Sequence, residues 1–205
     1  TMVSLTDEER SRPVSEQTDA RIRTGMPIPL VDLRIVDPAG RDVPHDGVAM
    51  GEVVARAPWL TQGYYKEPDK ADELWQGGWL HTGDVGSIDS RGVLQLKDRI
   101  KDVVKTGGEW VSTIELENLI SKHPAVAEVA VVGVPDERWG ERPLAMVVLS
   151  AGSDIEAQSI RDHLLQFVAS GDIAKWVVPE RIEFVTALPK TSVGKIDKKV
   201  IRTLV

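Results

Sequence analysis

The stretch VAEVAVVGVPDERWGERPLAMVVLS (126–150) decides the fold. VAEVAVVGV (126–134) is a near-continuous apolar run, and LAMVVLS (144–150) is another. Neither alternates apolar with polar as a half-exposed strand would, so each predicts a strand covered on both faces. The link between them, PDERWGERP (135–143), reads as a turn in which Trp139 either anchors the chain or touches a ligand. Upstream, Ser112 and Glu115 have the spacing of a capping box, which predicts a helix start, and His123-Pro124 ends that helix. Downstream, Ile160, Leu164, Phe167 and Val168 fall on one helical face with Gly171 just past its end. RIEFV (181–185) reads as a third strand, and LPKTSVGK (188–195) as a loop before a short last helix. The order α-β-β-α-β predicts a small α+β domain with helices flanking a three-stranded sheet.

The preceding half has a different character. VDLRIVD (31–37) alternates and reads as a strand, Asp37-Pro38-Ala39-Gly40 as a turn, and GEVVARAP (51–58) as a second strand ended by Pro58. Residues 59–80 hold Trp59, Tyr64, Tyr65, Trp75 and Trp79, half of the chain's aromatics, and Asp69 to Trp75 predicts a short helix stopped by Gly77-Gly78. Residues 1–30 are polar and broken by Pro13, Gly25, Pro27 and Pro29, and read as loop. The fold class expected is therefore α+β, with a mainly β part over about the first 95 residues and a change of character after Asp98.

Composition narrows the function classes. Of 205 residues, 41% are hydrophobic and 28% charged, an ordinary globular balance. Thirty-two acidic against 25 basic residues leave a net charge of −7, which argues against a broad nucleic-acid surface. No apolar run reaches the roughly 20 residues of a membrane span, and TMVSLTDEERSRP has no signal-peptide pattern. Cysteine is absent, which removes disulfides, thiolate metal sites and a cysteine nucleophile and fits a cytoplasmic placement. His45, His81, His123 and His163 lack the i, i+4 spacing of a helical zinc motif, so no metal site is expected from them.

Three polar segments carry candidate chemistry. In GWLHTGDVGSID (78–89), Asp84 follows Thr-Gly and either caps a hairpin turn or accepts two hydrogen bonds from a sugar diol. LKDRIKDVVKTGGEW (96–110) reads as a charged strand ending in a tight turn at Gly107-Gly108, or as a hinge followed by a glycine loop that a ligand can approach. LPKTSVGKIDKK (188–199) ends in a basic tail, or in a lysine that delivers a compact charge to a phosphate. It is not a P-loop: Pro189 stands where the first glycine would be, and Ile196 where Ser or Thr would follow the lysine. His81 shows no orienting partner in the sequence, so a packing or hydrogen-bonding role is expected. Glu115 and Glu117 read as cap and surface rather than as an acid/base pair.

Together and in order, GEVVARAPWLTQGYYKEP, GGWLHTGDVG, LQLKDRIKDVVKTGGEWVSTIELEN, VPDERWGERP and LPKTSVGKIDKK resemble the adenylate-forming superfamily of acyl-CoA synthetases, peptide-synthetase adenylation domains and luciferases. KTGGEWVSTIELEN and AKWVVPERIEFVTALPKTSVGKIDKK are most similar to the medium- and long-chain fatty acyl-CoA ligases. The family's upstream phosphate loop and its aromatic-Gly-x-Thr-Glu motif are not in this sequence. The resemblance therefore implies a C-terminal fragment, with 1–97 the end of the large domain and 98–205 the small mobile domain, and with the missing N-terminal domain as its partner.

The resemblance implies a two-step reaction of a carboxylic acid with ATP and then coenzyme A. Lys195 matches the catalytic lysine, Asp84 the ribose-binding carboxylate, and Arg99 a basic residue near the ribose. Asp98 matches the hinge, and the resemblance implies that Gly107 and Gly108 would line the pantetheine tunnel, with Trp110 at its wall or in the core. Mg2+ would sit on ATP and on a glutamate outside this sequence. The alternatives are a domain that loads a carrier-protein thiol and a non-catalytic AMP-binding fragment.

Overall fold

The computed structural model describes the backbone of residues 1–205 and every side chain except that of Asp19. It comprises two compact units, Thr1–Lys101 and Asp102–Val205.

The first unit opens with helices where the sequence predicts loop. α1 is Asp7–Ser11 and α2 is Thr18–Arg21, with a 3-10 turn at Val14–Glu16 between them. The cause is a reciprocal cap: Thr6 Oγ1 accepts from Glu9 N at 3.1 Å, and Glu9 accepts from Thr6 N at 2.9 Å. The Thr6 amide and then the Arg23 guanidinium, 2.6 Å away, hold the Glu9 carboxyl down to about 2. The rest of the unit is an antiparallel meander: β1 (Asp32–Val36), β2 (Gly51–Arg56), β3 (Leu80–Ile88) and β4 (Leu94–Arg99), ordered β1-β2-β3-β4. Ile35, Val53, Ile88 and Leu94 form its buried centre. α3 (Pro68–Leu74) lies where the sequence places a helix, begun by Pro68 and followed by Gly77 and Gly78, both at positive φ.

The second unit runs β5 (Val104–Thr106), β6 (Glu109–Val111), α4 (Thr113–Ile120), β7 (Val126–Asp136), β8 (Gly140–Leu149), α5 (Ala157–Ser170), β9 (Arg181–Phe184) and α6 (Lys198–Leu204). The three expected strands are β7, β8 and β9, with β8 between antiparallel β7 and parallel β9. The β5–β6 hairpin joins the same sheet through Thr106 and Gly140, so the sheet has five strands rather than three. The extra pair escapes sequence reading because each strand is only three residues long.

Both faces of the β7–β8 hairpin are covered, which accounts for its unbroken apolar sequence. Val129, Val131, Ala145 and Val147 pack with Leu116 and Ile120 of α4 and Ile160 and Leu164 of α5. Ala130, Val132, Leu144 and Met146, of opposite parity, pack with Leu188 and with Ile201 of α6. Ser112 caps α4 by accepting from Glu115 N at 3.1 Å, and Gly171 ends α5 at φ +83°. No helix among the described residues is long and apolar enough to cross a membrane.

Candidate functional site

Asp84 lies inside β3, not in a hairpin turn. Beside it the β2–β3 ladder is interrupted: Glu52 pairs with Val85, but Val54 pairs with His81, so three β3 residues bulge opposite Val53. The bulge is tied at each residue. Thr82 Oγ1 donates to Val53 O at 2.6 Å and accepts from Asp84 N at 3.1 Å. Gly83, at φ +71°, donates to Glu52 Oε1 at 3.3 Å. His81 Nδ1 is 2.8 Å from Glu52 Oε2, and its Nε2 is 3.2 Å from Gln76 O. The partner that His81 lacks in the sequence is thus Glu52, brought across by strand pairing. The effect is to turn the Asp84 carboxylate outward on a fixed backbone, with a third of its side chain exposed.

Arg99 is the residue directly opposite Asp84 in β4, and its Nε lies 3.5 Å from Asp84 Oδ1. The structure therefore brings these two candidates together as a cross-strand pair. Asp98, next in the strand, is buried, and its Oδ1 accepts from the Arg99 amide at 2.7 Å. Asp98 and Arg99 both belong to β4 in the first unit, and the division between units falls two residues beyond Arg99.

In the second unit, Gly107 and Gly108 form the two-residue turn of the β5–β6 hairpin, at φ +59° and +89°. A turn with both central residues left-handed matches the twist of the strands and suits glycine. Gly107 also leaves room for Trp139: a Cβ there would stand 3.0 Å from the indole. Gly107 N donates to Trp139 O at 2.8 Å, and Lys105 N donates to Glu141 Oε2 at 2.9 Å.

This turn edges a cleft of about 840 Å³. Thr106, Gly107 and Glu109 form one wall, Arg138, Trp139 and Arg142 another, and α5 and residues 175–180 the rest. Arg142 donates to Trp176 O at 2.6 Å and pairs with Glu180 at 3.1 Å, while Arg161 donates to Glu180 O at 2.9 Å. These two arginines build the wall. Arg138, stacked on Trp139 with its guanidinium 4.7 Å from the ring centre, and Lys175 add positive charge to the lining. Trp110 is half-buried opposite Lys105 and does not line this cleft; the indoles that do are Trp139 and Trp176. Trp176 was not singled out by sequence reading, and no local pattern marks it.

Lys195 stands exposed in a tight turn before α6. Thr191 N donates to Lys195 O at 2.7 Å, Lys195 N donates to Thr191 Oγ1 at 3.2 Å, and Gly194 takes φ +80°. Its backbone is therefore fixed while its ammonium is free to reach outward. Among the described residues no three His, Asp or Glu side chains gather as a metal cage.

Comparisons with known proteins identify relatives of this chain. Residues 115–195 match the AMP-binding enzyme C-terminal domain. The chain is 44% identical to a 3-methylmercaptopropionyl-CoA ligase of Ruegeria lacuscaerulensis, over 95% of this chain and 35% of that protein. It is 43% identical to a long-chain-fatty-acid–CoA ligase of Thermus thermophilus, over 91% and 34%. Among solved structures it resembles an amide bond synthetase from Marinactinospora thermotolerans, with TM-score 0.75 and 35% identity over 93% of this chain and 37% of that one. The chain thus spans about a third of the length of the curated relatives it matches.

Proposed function

We infer the function from one premise: the chain belongs to the adenylate-forming acyl-CoA ligase family, whose AMP-binding enzyme C-terminal domain it carries at residues 115–195. The protein of which it is part joins a carboxylic acid of the fatty-acid class to coenzyme A at the expense of ATP. A carboxylate oxygen bonds to the α-phosphorus as the bond to pyrophosphate breaks, giving an acyl-adenylate. The CoA sulfur then bonds to the acyl carbon, its proton is lost to solvent, and AMP leaves.

The observation that carries this reading is the Asp84–Arg99 pair on its tied bulge. An outward carboxylate with one flanking guanidinium can accept both hydroxyls of a ribose and so hold the α-phosphate in line. Lys195, on its fixed turn, supplies positive charge where negative charge gathers around phosphorus. For the second step, the Gly107 turn opens on a cleft with two indoles, Arg138 and Lys175, a lining suited to the adenine and phosphates of CoA. The small unit would exchange these two surfaces by rotating about the stretch from Asp98 to Lys101, where a few backbone torsions suffice. Magnesium, carried in on ATP, would offset phosphate charge, and its protein ligand lies outside the residues described. A cytoplasmic location is proposed, with which the cysteine-free composition is compatible.

The likeness to an amide bond synthetase gives a second acceptor, an amine, in place of the thiol. A carrier-protein thiol and mere AMP binding are the other readings. Pyrophosphate release by the intact protein, with a panel of carboxylic acids, tests the first step, and none with any acid would leave only AMP binding. Release of AMP on adding CoA, an amine or a phosphopantetheinyl carrier protein then identifies the acceptor; CoA is the expected one.

A further inference from the structure

α6 is seven residues long, too short to be stable unless docked, and it begins three residues after Lys195. Its apolar anchor is Ile201, fully buried against the sheet. Such a contact holds the helix down, but the hydrophobic effect behind it is not itself directional. A directional tie comes from the first residue of the helix. Lys198 Nζ lies 2.7 Å from Glu117 Oε1 and donates to Thr113 Oγ1 at 2.7 Å. Thr113 and Glu117 are one helical turn apart on α4, and Glu117 Oε1 also accepts from Val131 N of β7 at 2.7 Å. One ammonium is thus bound to α4 twice and, through Glu117, to the central hairpin. Lys198 and Glu117 are only 15% and 18% exposed. At the other end of α6, Arg202 pairs with Asp102 at 2.7 Å.

Stability alone is a poor account of Lys198. A cation in the first turn of a helix opposes the backbone dipole, and a shielded ion pair is often no more stabilising than an apolar pair of like size. What the pair supplies is geometry. Asp197 N donates to Pro189 O at 2.8 Å, which ties the start of α6 to the base of the Lys195 turn. The position of Lys198 is thereby coupled to the base of the turn, whose other arm is held by Lys190 on Glu128 at 2.9 Å. We propose that Lys198 is a positioning residue: held by Glu117 and Thr113, it sets where the Lys195 ammonium stands. This rests on the adenylation role assigned to Lys195 above.

The test uses the intact protein and measures two half-reactions: pyrophosphate release, and thioester formation from supplied acyl-adenylate. Lys198→Met should lower kcat of pyrophosphate release about tenfold or more, with KM for ATP and thioester formation each within about twofold, since small displacements of a catalytic group cost rate. Lys198→Arg, which keeps the charge, should recover part of the loss. If Lys198→Met does not fold, Thr113→Val decides, with a loss of about threefold or more in the first half-reaction only. Equal loss in both half-reactions, or none in the first, would overturn the positioning role. Lys195→Ala run in parallel separates the two ideas. If it leaves pyrophosphate release intact, the assignment of Lys195 itself fails; if it abolishes release while Lys198→Met does not alter it, only the positioning role fails.

Discussion

Asp84 and Arg99 face each other across the β3–β4 ladder, with Arg99 Nε 3.5 Å from Asp84 Oδ1. The pair is partly exposed, so its contribution to stability is small, about 0–1 kcal/mol. On the proposed function, its place on a bulge tied by Thr82 and Glu52 lets the Asp84 carboxylate accept from a ribose diol. Asp84→Ala in the intact protein is expected to raise KM for ATP about tenfold or more, in line with the loss of charge-assisted hydrogen bonds, while the urea midpoint hardly moves. Steady-state kinetics with ATP varied, beside an unfolding curve, checks both halves of this expectation.

Lys195 touches nothing that the fold depends on beyond its own turn. Lys195→Ala should therefore leave the melting temperature unchanged, slow pyrophosphate release by about a hundredfold or more, and spare thioester formation from supplied acyl-adenylate. Single-turnover measurements of each half-reaction would show this split. Equal losses in both would refute the division of labour between the two surfaces.

The proposed hinge is tested better at Lys101 than at Asp98. Asp98 is buried in β4 opposite Val85, and proline there would damage the ladder itself. Lys101→Pro instead stiffens the link where the units divide. Thioester formation should fall more than adenylation, and unchanged rates in both steps would remove the hinge from this stretch.

The two turn glycines should differ. A Cβ at Gly108 meets nothing within 4 Å, so Gly108→Ala costs only the left-handed backbone, about 1 kcal/mol. A Cβ at Gly107 also meets the Trp139 indole at 3.0 Å, so Gly107→Ala should cost about 2–3 kcal/mol and disturb the cleft wall. Urea denaturation of the two variants gives the order directly.

Acid should loosen the second unit at one identifiable point. Burial, and then neighbouring His163, push the His123 imidazole below its ordinary value of 6.5. The two rings meet edge to face at 5.2 Å; His123 Nδ1 accepts from Ala125 N and its Nε2 meets Ser159 Oγ, with Lys122 nearby over Phe167. As pH falls through 6.5 the unfolded chain takes up a proton that the folded chain resists. Stability contributed by this site is thus complete above 6.5 and declines below it. The lowered carboxyls of Glu9, Asp37, Asp42, Asp46 and Asp89 act at still lower pH. Urea midpoints compared between about pH 7.5 and pH 5.5 should fall for the parent chain and fall less for His123→Asn, which keeps an acceptor for Ala125.

The core of the second unit was legible because its signal is local. The runs at 126–134 and 144–150 are apolar at both parities, and in the fold one parity meets α4 and α5 while the other meets α6. The caps at Ser112 and Gly171 were equally readable, since each depends on residues within one turn. The Thr6–Glu9 cap carries the same kind of signal, but the prolines and polar residues around it favoured a loop reading. The β5–β6 pair was too short to show a period of its own.

The sequence by itself determined that an α-β-β-α-β unit forms around a doubly covered hairpin, and which separated motifs carry the candidate chemistry. Hydrophobic periodicity, caps and turns act over a few residues, so they can be read in one dimension. Only the tertiary structure decided that Arg99 is the neighbour of Asp84, that Glu52 orients His81, that Trp139 and Trp176 line one cleft, and that Glu117 and Thr113 hold Lys198. Those pairings join residues from 15 to 85 positions apart. Strand register and helix docking set them, and no short-range pattern in the chain encodes either.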